Sequence, residues 1–510
     1  MIRREIFVAA SFTLALFGAP RAAHSDTVPD LATIRANMKN ARGVLPNAER
    51  LVTTFTANGL QGKRVQLRSG DDSVETLTFG PFTTAYGSYK GQRWYQTPNG
   101  ATVLSKMDPG DAVQDTMTAT VTRVREPFDA YVIADLNVRG YGTRSYVDPQ
   151  TWLLVRNDVI RAAGTATYLY DDFRTIDGYT RAWHWRVRDG YAEDDQEYRI
   201  EGDFIAPISA DVFTIPPSRR NLVEFPPGVS SVSIPTQEDH SQFIVRVNVG
   251  SRGLDFLLDT GASGIALDEG IAAELGLKLY APRSNGVNAG RYVSESAIVP
   301  EMQIGALSMR DVVVQTIPHL GADRMGQYKI VGLLGFDFIN AVSLKLDYEK
   351  GQVTAYDPAT FAPPVDPQMN VLDVRLSGGQ PLTSVSINGA VGERFVIDSG
   401  AYGGVKIFDY FARRYPEALA DEGGVGAARQ VEHRGVGGTF DVRTYRLSVV
   451  RLGDINFHDF LADVVATRSA YGTDEDGLIG TDFLHLFTVY TDYRNSRIYL
   501  VPTLLMRQAL

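Results

Sequence analysis

The sequence contains no cysteine. That absence removes disulfides, thiol nucleophiles, zinc–cysteine sites and cysteine redox motifs, and with them any lipid-bearing lipoprotein cysteine. Stability then rests on core burial alone, which large domains can supply. Histidine is scarce as well: seven residues are scattered through 510, with no His-Glu-x-x-His, which argues against a zinc hydrolase. No Gly-x-Ser-x-Gly supports a serine hydrolase, and no phosphate-cradling loop or dinucleotide fingerprint is present. No cofactor and no metal are expected. Basic residues are outnumbered, and the net charge of −10 leaves no footprint for nucleic acid. Beyond the N-terminus no apolar run approaches the roughly 20 residues that a membrane helix needs.

What is present begins with a short export signal. Arg3 and Arg4 precede an apolar run over 6–17, and small residues lead to Ala23-His24-Ser25. A basic start, a short apolar core and a small-x-small exit are the parts of a secretory signal peptide. Residues 1–25 are therefore expected to be removed, leaving no integral membrane segment. A periplasmic or secreted location follows, with export of the Gram-negative type.

Proline marks the joints of the rest. Pro216, Pro217, Pro226, Pro227 and Pro235 punctuate one segment, and Pro358, Pro363, Pro364 and Pro367 another. Proline at that density continues neither a helix nor a central strand. The expected bodies are an N-terminal domain over 27–220, a linker over 221–240, and two further units over 241–360 and 368–505.

The last two units are copies of each other. Val249-Gly250 followed by Phe256-Leu257-Leu258-Asp259-Thr260-Gly261-Ala262 matches Asn388-Gly389 followed by Phe395-Val396-Ile397-Asp398-Ser399-Gly400-Ala401. The offset is constant (389 − 250 = 398 − 259 = 139). Downstream, Ile304-Gly305 and Asp311 match Leu452-Gly453 and Asp459. Gly332-Leu333-Leu334-Gly335-Phe336-Asp337-Phe338 matches Gly477-Leu478-Ile479-Gly480-Thr481-Asp482-Phe483, and Asp347-Tyr348 matches Asp492-Tyr493. Internal repeats of this order define a duplicated fold. Alternation such as Val245, Val247 and Val249 against Arg246 and Asn248 predicts mostly strand. A short helix is expected after each Asp motif, near 268–275 and 409–420. Asp337 and Asp482 are expected to cap short helices, and Asp347 and Asp492 to end strands at turns.

The repeated motif has a chemical logic. An apolar strand is buried, and a glycine after the Asp permits a tight turn that carries the carboxylate into a cleft. The Thr260 and Ser399 hydroxyls can bond across a pseudo-two-fold axis and lock the two loops together. Two carboxyls brought that close cannot both ionise, so Asp259 and Asp398 should share one proton and titrate as a pair. The ionised member draws a proton from water while the other donates to a scissile carbonyl oxygen. Ala262 and Ala401 offer no side-chain hydroxyl to the carboxylates. The pair should therefore titrate high, giving activity at mildly acidic pH.

Asp259-Thr260-Gly261-Ala262-Ser263, Asp398-Ser399-Gly400-Ala401 and the two Gly-hydrophobic-hydrophobic-Gly segments resemble the active-site elements of aspartic peptidases. The small lobes and the alanine after each glycine resemble the retropepsin-like peptidases and their bacterial relatives. The resemblance implies a mainly β, two-lobed acid-protease β-barrel fold, a polypeptide substrate, and Asp259 and Asp398 as catalytic residues. Thr260, Gly261, Ser399 and Gly400 would support the active-site loops. It also implies glycine-rich flaps: Gly286 and Val287 lie where one would be, and Gly435 and Val436 where the other would be. Each stretch also reads as a plain hairpin turn. Tyr402 departs from the pattern, standing where Ser263 stands in the first copy. Because one chain holds both half-sites, a monomer should suffice for catalysis.

The N-terminal body is less explicit. A helix is expected near 30–38, with Leu31, Ile34 and Met38 on one face, and strands thereafter. All four tryptophans (94, 152, 183 and 185) lie here; Trp183, Trp185 and Val187 alternate with His184, Arg186 and Arg188. Such a stripe reads first as core and second as an aromatic wall for an apolar ligand. The runs at 146–153, 168–173 and 211–216 are similar to periplasmic lipoprotein-carrier domains, which implies an α+β curved antiparallel sheet and a lipid or lipoprotein ligand. The whole chain thus reads as an exported aspartic endopeptidase with a recruitment domain. The alternative is a catalytically silent peptide- or lipid-binding protein on the same scaffold. A pro-segment role for the N-terminal body is a third reading.

Overall fold

The computed structural model describes residues 27–57, 59–105, 117–137, 141–161, 164–204, 207–239, 241–287, 290–320, 324–325, 327–419, 429–435, 438–465 and 475–509. The signal-peptide reading and the flap residue Val436 lie outside them. The chain is mainly β.

The helix Leu31–Arg42 opens the N-terminal body. Asp30 caps it by accepting from the Thr33 N–H, and Gly43, at φ 75°, ends it in a backbone region that favours glycine. It runs further than the apolar pattern, because its last turn, Lys39 to Arg42, is polar. Ile34 seats it against Tyr131, Ile133 and Val147, on an antiparallel sheet of thirteen strands. That sheet is two meanders joined where Ala48–Ala57 pairs with Gln196–Phe204. The tryptophan stripe is not closed core. Trp94 is buried, whereas Trp183 and Trp185 stay half-buried, Trp185 stacking on Tyr198 at 4.9 Å.

The two copies fold alike. In each, the strand before the Asp motif (Arg252–Leu258 or Ala390–Ile397) runs parallel to the strand of the hydrophobic-hydrophobic-Gly element (Tyr328–Leu334 or Gly477–Ile479). Asp311 and Asp459 occupy the same place in the long hairpin, where one cross-strand pair is missing without a change of register and each adopts positive φ; aspartate tolerates that region better than most residues.

A six-stranded sheet joins the copies, in the order Ser231–Ile234, Gln352–Tyr356, Ser343–Asp347, Phe487–Asp492, Arg497–Pro502, Asn370–Asp373. Its two halves are related by the repeat, and the outermost strands keep the offset of 139 (370 − 231). The proline-punctuated segment 221–240 contributes to these sheets: Val223–Glu224 pairs with Leu307–Ile317, Ser231–Ile234 with Gln352–Tyr356, and Thr236–Asp239 with Gln242–Val249. Leu222, Val223, Val232 and Ile234 are buried in the common core. No helix among the described residues is long and apolar enough to cross a membrane.

The helices of the repeat correct one expectation. Phe336–Ala341 and Thr481–Leu484 are capped at Gly335 and Gly480, not by Asp337 or Asp482. The first backbone N–H of each helix is already bonded to the loop that carries the Asp motif, Phe336 to the Ala262 carbonyl and Thr481 to the Ala401 carbonyl. Asp337 turns instead toward the N-terminal body, accepting from Asn99 Nδ2 at 2.8 Å, and Asp482 is exposed. After the Asp motifs, the helix Glu269–Glu274 follows its cap Asp268, and Asp409–Arg414 continues into a 3-10 turn over Pro416–Leu419.

Candidate active site

Loop 1 (259–263) and loop 2 (398–402) meet at the pseudo-two-fold axis. Each begins as its strand leaves the sheet: the Asp259 N–H donates to the Leu334 carbonyl, and the Asp398 N–H to the Ile479 carbonyl. Each Asp side chain then folds back over its own turn. Asp259 Oδ1 accepts from the N–H groups of Gly261 and Ala262, both at 2.9 Å. Asp398 Oδ1 accepts from Gly400 and Ala401 at 2.9 and 3.0 Å. The alanines thus supply backbone donors where they lack a hydroxyl. One oxygen of each carboxyl is fixed, and the carboxyls are hydrogen-bonded to each other.

Thr260 and Ser399 lock the loops together beneath the carboxyls. Thr260 Oγ1 donates to the Ile397 carbonyl at 2.6 Å and accepts from the Ser399 N–H at 2.9 Å. Ser399 Oγ donates to the Leu258 carbonyl at 2.9 Å and accepts from the Thr260 N–H at 3.1 Å. Both side chains are buried, so each hydroxyl satisfies backbone groups of the opposite lobe that water does not reach.

The glycines are required for space rather than for turn geometry. Neither Gly261 nor Gly400 has positive φ. A Cβ on Gly261 would stand 2.5 Å from Asp398 Cγ, and one on Gly400 would stand 2.4 Å from Asp259 Cγ. Each carboxyl therefore lies against the other lobe's glycine. Gly335 and Gly480 are required in the same way, since a Cβ there would meet the Gly264 and Gly403 carbonyl oxygens at 2.2 and 2.5 Å.

Two supporting residues carry no motif of their own. Gln380 Nε2 donates to the Gly261 carbonyl at 2.8 Å, and Gln242 Nε2 donates to the Gly400 carbonyl. Each comes from the first turn of the opposite lobe's leading hairpin. Their spacing (380 − 242 = 138) lies one residue from the repeat offset, which is the sequence signal that marks them.

The hairpins expected to be flaps are present as strand pairs. Tyr280–Val287 pairs with Gly290–Ile304, placing Gly286 opposite Arg291 and Val287 opposite Gly290. Arg429–Gly435 pairs with Gly438–Leu452, placing Gly435 opposite Gly438.

Burial, then the neighbouring charge of Asp398, pushes Asp259 well above the ordinary carboxylate range. Burial also raises Asp398, opposed first by the Lys406 ammonium and then by the N–H groups of its own loop. Dehydration therefore sets the direction more than the missing hydroxyls do. Tyr493 lies buried beside both carboxyls, and dehydration keeps its phenol neutral. A pair that is protonated once presents one acid and one base within reach of a single water molecule.

Residues 245–338 and 383–483, one stretch in each lobe, match the sequence model of the aspartyl protease family. No match is found among curated proteins. Among solved structures, a LolA superfamily protein from Nitrosomonas europaea is 12% identical over 37% of this chain and 98% of its own, with a TM-score of 0.29. A DUF1329 family protein from Desulfovibrio piger is 13% identical over 36% of this chain and 94% of its own, with a TM-score of 0.26. Conglutin gamma, a basic 7S globulin from lupine seeds, is 11% identical over 55% of this chain and 97% of its own, with a TM-score of 0.31.

Proposed function

From the match of both lobes to the aspartyl protease family, we propose that this chain is an exported aspartic endopeptidase with Asp259 and Asp398 as its catalytic pair. The observation that carries the reading is the pair itself: two mutually hydrogen-bonded carboxyls, each seated by two N–H donors. A water molecule held between them gives a proton to the ionised carboxyl while its oxygen attacks the peptide carbonyl carbon. The protonated carboxyl gives its proton to the carbonyl oxygen. Collapse of the resulting diol returns a hydroxyl proton to the pair, protonates the amine and breaks the C–N bond. The substrate is a polypeptide, held beneath the two hairpins, which act as flaps over the cleft.

The N-terminal sheet is the recruiting module. Its half-buried aromatic face, and an open cleft of about 430 Å³ where Phe128 and Tyr170 stand among Arg156, Arg186 and three aspartates, would suit a lipid or lipoprotein ligand with an apolar body and a polar head. The signal-like N-terminus supports a periplasmic or secreted location.

The test is cleavage of an unfolded protein by the mature chain across about pH 3 to 7, with Asp259→Asn and Asp398→Asn alongside. Cleavage by the parent and none by either variant is the expected result. An inert parent, or an active Asp259→Asn protein, would refute the assignment.

A further inference from the structure

The strands that follow the two active-site loops differ in charge. Loop 2 has one more residue before its next strand: Ser263-Gly264 leads to Ile265, but Tyr402-Gly403-Gly404 leads to Val405. The strands then realign. Ala266 in Ile265–Asp268 pairs with Leu333, and Lys406 in Val405–Ile407 pairs with Leu478, the same position of the repeated hydrophobic element. On the other side Ala266 faces Gln315, and Lys406 faces Asp463. One lobe therefore places a methyl group where the other places an ammonium.

That ammonium is fixed and nearly dry. Lys406 is 8% exposed, while Val405 and Ile407 on either side point into the core. Its Nζ donates to the Tyr402 carbonyl at 2.7 Å, tying down the end of loop 2. Three acids act on it: Asp398 at the end of Ala390–Ile397, Asp463 from Ile455–Val465, and Asp482 from Thr481–Leu484. Asp463 is already bonded to Thr444 at 2.7 Å, and Asp482 is exposed to water, which screens it. Asp398 is the one of the three that is catalytic in the reading above, and it is buried.

On that reading of the dyad, we propose that Lys406 is a positioning residue that breaks its symmetry, making Asp398 the carboxylate and leaving the shared proton on Asp259. Dehydration raises both carboxyls, but the ammonium tied to the end of loop 2 opposes it at Asp398, whereas the matching position beside loop 1 holds the methyl group of Ala266. The other facing groups do not reverse the bias, because Tyr493 is neutral and acts on both. The steps then have owners. Asp398 takes the proton from water, Asp259 protonates the carbonyl oxygen, and the water oxygen bonds to the carbonyl carbon. On collapse, Asp398 passes its proton to the amine nitrogen, a diol hydroxyl returns one to Asp259, and the C–N bond breaks.

The experiment is a ¹³C carboxyl titration of aspartate-labelled parent, Lys406→Met and Lys406→Arg proteins. Asp259→Asn and Asp398→Asn spectra assign the signals, and a pH–rate profile is recorded in parallel. In the parent, Asp398 should titrate below Asp259. Lys406→Met should raise the Asp398 midpoint by about one pH unit or more, as loss of a nearby opposite charge does, and carry the acid limb of the rate profile with it. Lys406→Arg keeps the charge and should leave both near their parent values. A lysine needed only for packing would lower the rate equally at every pH and lower the thermal midpoint without moving either titration. That result, or Asp259 titrating below Asp398, overturns the proposal. The titration is read without activity: an inert parent with a depressed Asp398 refutes the protease reading alone. An active parent whose midpoints ignore Lys406 refutes this one alone.

Discussion

Gly261 and Gly400 each fill a space that belongs to the opposite lobe's carboxyl, so a methyl group there attacks the site and not the turn. In Gly400→Ala the new Cβ would stand 2.4 Å from Asp259 Cγ, and Asp259 must move. Displacements near 1 Å can cost about 10²-fold in rate. A kcat at least that much lower is expected while the far-ultraviolet circular dichroism stays native; an unchanged kcat would contradict the packing argument. Thr260→Ala acts differently. It leaves the Ile397 carbonyl and the Ser399 N–H buried without their partner, a loss of about 1–3 kcal/mol for each such group. Thr260→Ser keeps the hydroxyl and should unfold close to the parent in urea. At this scale the sequence was legible wherever chemistry is local. Asp-Thr-Gly-Ala and Asp-Ser-Gly-Ala announce themselves, whereas Gln242 and Gln380 act only across the axis on a backbone carbonyl and leave no local pattern. Lys406 was equally silent, because its meaning comes from the alanine at the matching position.

Strand alternation and the apolar face of Leu31, Ile34 and Met38 made the elements largely readable, and the misreading of Asp337 shows what limited them. An acid at the start of a short helix usually caps it, but loop 1 had already taken the Phe336 N–H. Asp337 is left buried, one oxygen on Asn99, and dehydration pushes it up to about 6 despite that bond. A carboxyl raised above its unfolded value near 3.8 holds its proton more tightly when folded. The penalty is absent below the unfolded value and fully present above the folded one. Stability should therefore fall as pH rises from about 4 to 6, by at most about 3 kcal/mol from this residue. Asp476, raised to about 6 by burial, adds a slope of the same sign. Urea unfolding at pH 4 and pH 7 should show a smaller difference for Asp337→Asn than for the parent. Equal differences would mean that Asp337 does not carry the effect.

The duplication made the two lobes visible in the sequence, but the docking of the N-terminal body on them was not. Many of its hydrogen bonds end on backbone groups, which have no residue code. Asn99 donates to the Val313 carbonyl and accepts from the Val313 N–H at 3.0 and 2.8 Å while also holding Asp337. Arg220 donates to the carbonyls of Asn99, Arg310 and Asp311. Val103 is buried within the core of the lobes, and Phe82 meets the ring of Tyr280 edge-on at 5.7 Å. A segment built to be discarded on activation would leave these groups bare: the Val313 N–H and carbonyl, Asp337, and the apolar ground under Val103. On the proposed protease reading, the N-terminal body is expected to be retained. The mature chain should reach full activity with its mass unchanged, as read by mass spectrometry over the time course of cleavage. Asn99→Ala should lower the unfolding midpoint by an amount equivalent to about 1–3 kcal/mol. Activity that appears only as a fragment near residue 220 is released would instead make the N-terminal body a pro-segment, its buried contacts those of an inhibitor awaiting removal.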